Sequence, residues 1–237
     1  MGNLSDISKM IDHSLLHPTF TDEYLREGCK LAKEYDTASV CIKPYAVSMA
    51  KEILSGSSVK VCTVVGFPHG SSSIEQKVRE AQSACAEGAV EIDFVVNTGK
   101  VLGKDWIYVS DEIKAVNEAV VALGAITKVI FENDYYPEDS YKIKLCKICN
   151  IYKPAFVKTS TGYGFIKQPD GNYNYKGATD HDLKIMREIC LPDIQVKAAG
   201  GLRTLNDLLR AKKLGVTRIG ATATKEIISE AIKLGYK

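Results

Sequence analysis

At 237 residues, with 45% hydrophobic and 25% charged positions, the chain has the composition of an ordinary globular protein and enough length to bury a core without disulfides. Its 31 basic and 29 acidic residues are interspersed and leave a net charge of +2, which excludes a strongly basic nucleic-acid or membrane-surface binder. No apolar stretch approaches the ~18 residues of a membrane span, and the polar start Met-Gly-Asn-Leu-Ser-Asp lacks a signal-peptide pattern, so a cytoplasmic location is expected.

Short β-prone runs alternate along the chain with longer helical patterns. Residues 10–15 are a candidate short first strand, followed by a helix over 21–35. Further strands are expected at 38–43, 59–65, 90–96, 127–132, 155–159, 194–199 and 217–221. Helices are expected between them at 44–55, 72–88, 105–123, 138–150, 179–190, 204–214 and 223–235. Thr21, Ser71 or Ser72, Thr179 and Thr204 are suitable helix caps, and Gly88, Gly124 and Gly215 fall where helices stop. Strands separated by crossover helices imply a parallel sheet. Eight such units, with no G-x-G-x-x-G fingerprint and no linker, fit a single (β/α)8 TIM-barrel domain over residues 1–237. Residues 165–178 interrupt the rhythm: Pro169 and Asp170-Gly171 read as a turn or small hairpin projecting over the face where strand 155–159 ends.

The chemistry-bearing residues lie at strand ends. Lys158 and Lys197 each close an apolar run just before a Gly-, Ser- or Thr-rich loop. A buried ammonium must be paired, neutralised or used. Two brought together repel, and loss of one proton yields the neutral amine that attacks a carbonyl to form a Schiff base. The two-residue period puts Lys197 with Gln195 and Ala199 on one face, and Lys158 with Phe156. Asp93, inside Val90-Glu91-Ile92-Asp93-Phe94-Val95-Val96, demands a partner. Gly200-Gly201-Leu202-Arg203 and Gly220-Ala221-Thr222-Ala223 follow the last two strands, where such barrels hold phosphate on backbone N–H groups, with Arg203 adding charge.

Other candidates have plainer readings. The seven cysteines, an odd number, read as buried reduced thiols, and Cys146-x-x-Cys149 as one helix face without a second pair to complete a zinc site. His13 and His17 have a metal-like spacing, but Pro18 argues against a helix and no carboxylate cluster completes a site. His69 sits in a loop at the barrel mouth, Lys43 is a strand-end charge, and Lys128 is expected to pair with Glu132. Cys41, on the Lys43 strand face, is a candidate neighbour of the substrate, and Tyr236 a candidate cover for the phosphate site.

The segments Ile11-Asp12-His13-Ser14-Leu15-Leu16, Val65-Gly66-Phe67-Pro68-His69-Gly70, Glu91-Ile92-Asp93, Val157-Lys158-Thr159-Ser160-Thr161-Gly162, Lys197-Ala198-Ala199-Gly200-Gly201 and Arg218-Ile219-Gly220-Ala221 occur in that order across nearly the whole chain. Together they resemble the deoxyribose-phosphate aldolase family. The resemblance implies a class I aldolase that needs no metal or other cofactor and cleaves 2-deoxy-D-ribose 5-phosphate to acetaldehyde and glyceraldehyde 3-phosphate. It implies Lys158 as the Schiff-base lysine, Lys197 as the neighbour that lowers its pKa, and Asp93 as the proton relay. Gly162, Gly200, Gly201, Arg203, Gly220 and Thr222 match the family's phosphate-binding loops, and fold-level analogy suggests a homodimer. The chain departs from the family pattern at Thr222-Ala223, where a second hydroxyl is usual, at His17, and in the longer 165–178 stretch. The alternatives are a lysine-dependent aldolase or transaldolase for another phosphosugar, a noncatalytic sugar-phosphate-binding barrel, and a metal-dependent isomerase.

Overall fold

A computed structural model describes residues 2–237. A short helix α1 (Ser5–Ser8) precedes β1 (Ile11–Leu15), and the chain continues through α2 (Asp22–Glu34), β2 (Ser39–Ile42) and α3 (Val47–Ile53). Then come β3 (Lys60–Val65), α4 (Ile74–Glu87), β4 (Glu91–Val95), α5 (Thr98–Leu102), α6 (Trp106–Val121) and β5 (Ile126–Ile130). The second half runs α7 (Asp139–Tyr152), β6 (Phe156–Lys158), the hairpin strands β7 (Ile166–Lys167) and β8 (Tyr173–Asn174), and α8 (Asp180–Ile189). It closes with β9 (Gln195–Ala199), α9 (Leu205–Lys213), β10 (Arg218–Ala221) and α10 (Thr224–Lys233).

Eight strands form a closed parallel barrel in the order β1-β10-β9-β6-β5-β4-β3-β2, with β7-β8 as a separate two-stranded ribbon. Every strand expected from the run pattern is present within two residues of its expected ends. The helix ends follow local chemistry. Thr21, Thr179 and Thr204 accept from the third backbone N–H of α2, α8 and α9. The cap of α4 is Ser73, which forms a capping box with Gln76, rather than Ser71 or Ser72. Ser72 also has an acid three residues on, Glu75, but it is the Ser73 hydroxyl that accepts from Gln76 N while Gln76 Oε1 accepts from Ser73 N. Gly88 ends α4 at φ 119°, a conformation that a side chain would strain.

The two strand faces carry different chemistry. Outward residues such as Ile11, Val40, Ile92, Phe94, Val129, Val157, Val196 and Ile219 are fully buried between barrel and helices. Inward residues are polar or charged at many positions, including Asp12, Glu91, Asp93, Lys128, Lys158 and Lys197, all buried. A small apolar lining of Leu16, Cys41, Cys62 and Val64 covers one side of the lumen. The barrel is thus stabilised on its outside and charged within.

One ion pair outside the lumen fixes the loops at the carboxyl ends of β3 and β4. Lys77 of α4, fully buried, donates from Nζ to the carbonyls of Gly70 and Val95 and to Glu112 Oε1 of α6, each at 2.7 Å. Burial presses the Lys77 ammonium down and the Glu112 carboxyl up, and their mutual contact opposes both shifts. Lys77→Met leaves Glu112 buried without its cation, and the expected loss in a denaturant titration is about 3–5 kcal/mol.

Candidate active site

The register of the barrel brings the lysines together. Lys158 pairs with Lys197 across β6 and β9, Lys197 with Arg218 across β9 and β10, and Asp93 with Lys128 across β4 and β5. These positions point inward at similar heights, so a charged layer crosses the lumen. Asp93 is its hub. Its Oδ2 lies 2.8 Å from Lys158 Nζ and 2.7 Å from Lys197 Nζ, and its Oδ1 lies 2.8 Å from Lys128 Nζ. Below it, Lys128 reaches Glu91 at 2.6 Å and Asp12 at 3.5 Å. Asp12 also takes Lys197 at 2.5 Å and Arg218 at 2.6 Å, and Arg218 reaches Glu91 at 3.2 Å.

Burial by itself raises carboxyl pKa values, but here the cations override it. Lys128, Lys158 and Lys197 hold Asp93 well below the usual carboxylate range. Lys128, Lys197 and Arg218 do the same for Asp12. Burial likewise disfavours a charged Lys197, yet Asp12 and Asp93 more than offset it and raise its pKa above the ordinary lysine value. Lys128 is also raised, by Asp12, Asp93 and Glu91 against burial.

The layer contains four cationic side chains (Lys128, Lys158, Lys197, Arg218) and three carboxylates (Asp12, Glu91, Asp93). It balances when one amine is neutral. Lys128 contacts three of the carboxylates, Lys197 and Arg218 contact two each, and Lys158 contacts Asp93 alone. Lys158 is therefore the cation held by the fewest carboxylates.

Above this layer opens a cavity of about 330 Å³, lined by both Lys158 and Lys197. Gly162, Gly200, Gly201, Arg203, Gly220 and Thr222 line the same cavity, so the structure gathers all the glycine-loop candidates around the two amines. Asp93 lies beneath the lining, screened from solvent by the lysines it binds. Gly200 and Gly201 adopt φ of 91° and 82°, which turns the chain back after β9. The first turn of α10 has Ala223 at its cap, without a side-chain hydrogen bond, so its backbone N–H groups beside Gly220 and Thr222 have no side-chain acceptor.

Several expectations are corrected. Lys128 does not pair with Glu132: it lies on the inward face of β5 and binds Asp93, Glu91 and Asp12, while Glu132 lies past the strand end and binds Thr161. Tyr236 does not cover the phosphate loops. It packs against Gly2, and the backbone of Lys237 pairs with Gly2 and Leu4, near where the chain enters β1. His13 and His17, for which the sequence already disfavoured a metal site, have separate partners: His13 Nδ1 lies 2.8 Å from Thr224 Oγ1, and His17 Nδ1 lies 2.8 Å from Thr19 Oγ1. Cys41 does line the cavity, whereas His69 is exposed in the loop after β3. Among the described residues, Cys41, Cys62 and Asp93, and Asp12, Cys62 and Glu91, converge closely enough for a cation. The Lys128 ammonium, 3.1 Å from Cys62 Sγ and bound to Asp93 and Glu91, already supplies positive charge there.

Asp12, Glu91 and Arg218 had no assigned role in the sequence, and Lys128 had the wrong partner, although a signal for them exists. Glu91 and Asp93 are two apart on one strand, so the alternation that turns Asp93 inward turns Glu91 inward too. Lys128 and Asp12 are likewise charges inside short β-prone runs.

The arrangement has close counterparts among known proteins. A model of the DeoC/LacD family aldolases matches residues 7–225. The chain belongs to that family. It is therefore an aldolase, a carbon–carbon lyase. A deoxyribose-phosphate aldolase of Rhodopirellula baltica is 47% identical over 228 residues, covering 96% of this chain and 90% of the relative. One from Clostridium perfringens is 44% identical, covering 92% of each. The tetrameric deoxyribose phosphate aldolase of Aeropyrum pernix superposes with a TM-score of 0.85 at 27% identity, covering 98% of this chain and 93% of that one. No helix among the described residues is long and apolar enough to cross a membrane.

Proposed function

We propose that this aldolase reversibly cleaves 2-deoxy-D-ribose 5-phosphate to acetaldehyde and D-glyceraldehyde 3-phosphate, with Lys158 as the covalent nucleophile and no metal or organic cofactor. The observation that carries this reading is the imbalance of the lumen layer: one cation in excess, and Lys158, at the cavity wall, held by a single carboxylate.

Neutral Lys158 Nζ attacks the C1 aldehyde, and the resulting carbinolamine loses water to give an iminium. Removing the C3 hydroxyl proton turns that hydroxyl into the carbonyl of glyceraldehyde 3-phosphate. The electrons of the breaking C2–C3 bond flow into the iminium and leave an enamine. Protonation at C2 and hydrolysis release acetaldehyde and restore the amine. Asp93 Oδ2, shared by Lys158 and Lys197, is the relay for the protons of carbinolamine formation and dehydration. Lys197, kept protonated by Asp12 and Asp93, places a second positive charge beside Lys158 and shares its carboxylate. Gly200, Gly201, Arg203, Gly220, Thr222 and Gly162 receive the phosphate, with the uncapped N-terminus of α10 adding backbone donors. The single hydroxyl of Thr222-Ala223 leaves more of that work to backbone N–H groups.

Product analysis tests the substrate: acetaldehyde released from 2-deoxyribose 5-phosphate, at a rate indifferent to EDTA, is the expected result. A ketose fragment or a chelator-sensitive rate points to a transaldolase or a metal enzyme instead. Lys197→Leu tests the tuning role. Without that cation Asp93 Oδ2 binds Lys158 alone, and the rising limb of the pH–rate profile is expected to move upward. An unmoved limb removes Lys197 from the tuning.

A further inference from the structure

The β7-β8 hairpin is fastened at both stems by one short segment. Just past β5, Glu132 and Asp134 stand two residues apart and bind opposite ends of the excursion. At the near stem, the Glu132 carboxylate accepts from the Thr161 backbone N–H at 3.1 Å and from the Thr161 hydroxyl. That hydroxyl in turn accepts from Tyr163 N at 2.9 Å. At the far stem, the two oxygens of Asp134 accept from Lys176 N at 2.6 Å and from Gly177 N at 2.9 Å. Ala178 N then donates to the Gly200 carbonyl at 3.2 Å, tying that stem to the glycine loop after β9.

Glu132 combines two unfavourable features. Its backbone is left-handed at φ 62°, rare for a residue with a side chain, and its carboxyl is almost wholly buried. Burial pushes that carboxyl up to about 7 despite the Thr161 bonds, with Asp134 and Lys158 the charged groups near it. Strain and desolvation at one position need a compensating role. The docking is also sterically tight: a Cβ on Gly164 would stand 2.6 Å from Glu132 Cδ, and one on Gly177 would stand 2.5 Å from the Gly200 carbonyl oxygen.

What the clamp holds in place is aromatic. Tyr163, Phe165 and Tyr175 all line the cavity that contains Lys158. Phe165 meets Tyr175 edge-on with centroids 5.2 Å apart, and Tyr163 meets Phe67 edge-on at 5.6 Å. The Tyr175 ring lies against Gly200, so this part of the wall borders the phosphate loops, whereas Tyr163 packs on the apolar lumen lining of Leu16, Cys41, Cys62 and Val64.

We propose that Glu132 and Asp134 are positioning residues, a two-carboxylate clamp that seats the hairpin so that its aromatic wall selects the acceptor aldehyde. This rests on the aldolase chemistry set out above for the same cavity. In the synthetic direction the acceptor is the aldehyde attacked by the enamine, and its far end reaches the glycine loops. Acetaldehyde alone, bound to Lys158, does not extend that far.

The test separates the two halves of the reaction. Exchange of acetaldehyde methyl protons with deuterated water needs only the lysine imine and enamine. Addition to glyceraldehyde 3-phosphate also needs the acceptor wall. Asp134→Asn replaces one acceptor oxygen by an amide that faces a backbone N–H, donor against donor, and Glu132→Gln weakens the near stem. The expected result for each is a KM for glyceraldehyde 3-phosphate raised about tenfold, with kcat and the exchange rate within a factor of two. Tyr175→Ala is expected to shift the ratio of kcat/KM between glyceraldehyde 3-phosphate and unphosphorylated glyceraldehyde. An unchanged acceptor KM in the Asp134→Asn, Glu132→Gln double variant overturns the clamp, as does an exchange rate that falls in step with synthesis, the mark of a merely structural role. Absence of exchange in the unaltered protein instead overturns the lysine chemistry.

Discussion

Lys158→Ala lowers the rate of 2-deoxyribose 5-phosphate cleavage by an expected factor on the order of 10⁵, the scale on which loss of a covalent nucleophile acts. Lys197 does not substitute, because Asp12 and Asp93 together hold it charged. The same substitution leaves the fold intact. Without Lys158 the lumen retains Lys128, Lys197 and Arg218 against Asp12, Glu91 and Asp93, and the charges match. Denaturant unfolding of the variant is therefore expected to show equal or greater stability beside the collapse in turnover. A variant that loses both together marks Lys158 as a structural ammonium.

Asp93→Asn carries the second large effect and the opposite stability pattern. The amide matches the carboxylate in shape but withdraws the one charge shared by Lys128, Lys158 and Lys197. Breaking a buried ionic network by removing one partner costs about 3–5 kcal/mol. Loss of the proton relay is expected to lower kcat by about 10³-fold. Single-turnover trapping distinguishes the two contributions. Imine formation slows with the chemistry, while a destabilised but catalytically intact variant forms it at the normal rate at low temperature. The pair of variants thus assigns opposite structural roles to two groups only 2.8 Å apart.

Much of this was legible in the chain. The alternation of β-prone runs with helical stretches is the direct imprint of a parallel barrel, because every crossover needs a helix and every strand two buried faces. Lys158, Lys197 and Asp93 were visible as charges where a strand tolerates none without partners. The glycine loops were visible from their place after the last strands.

Less legible was anything that depends on closure of the barrel. Lys128 was expected to pair with the nearby Glu132, four residues along, yet four residues of strand span about 13 Å and β5 ends before Glu132, so the partners of Lys128 come from β1 and β4. Asp12 and Arg218 meet because β1 and β10 are adjacent only once the barrel shuts. The clamp from Glu132 and Asp134 was hidden for a related reason: its ligands are backbone N–H groups of a distant loop, which leave no mark on side-chain patterns. Where Tyr236 docks was not legible, because no local signal says where a terminus packs.

The most direct measurement is mass spectrometry of the protein reduced with borohydride during turnover of 2-deoxyribose 5-phosphate. The expected result is one stable adduct, on the peptide containing Lys158 and on that side chain. An adduct on Lys197, or none at any lysine, contradicts the account.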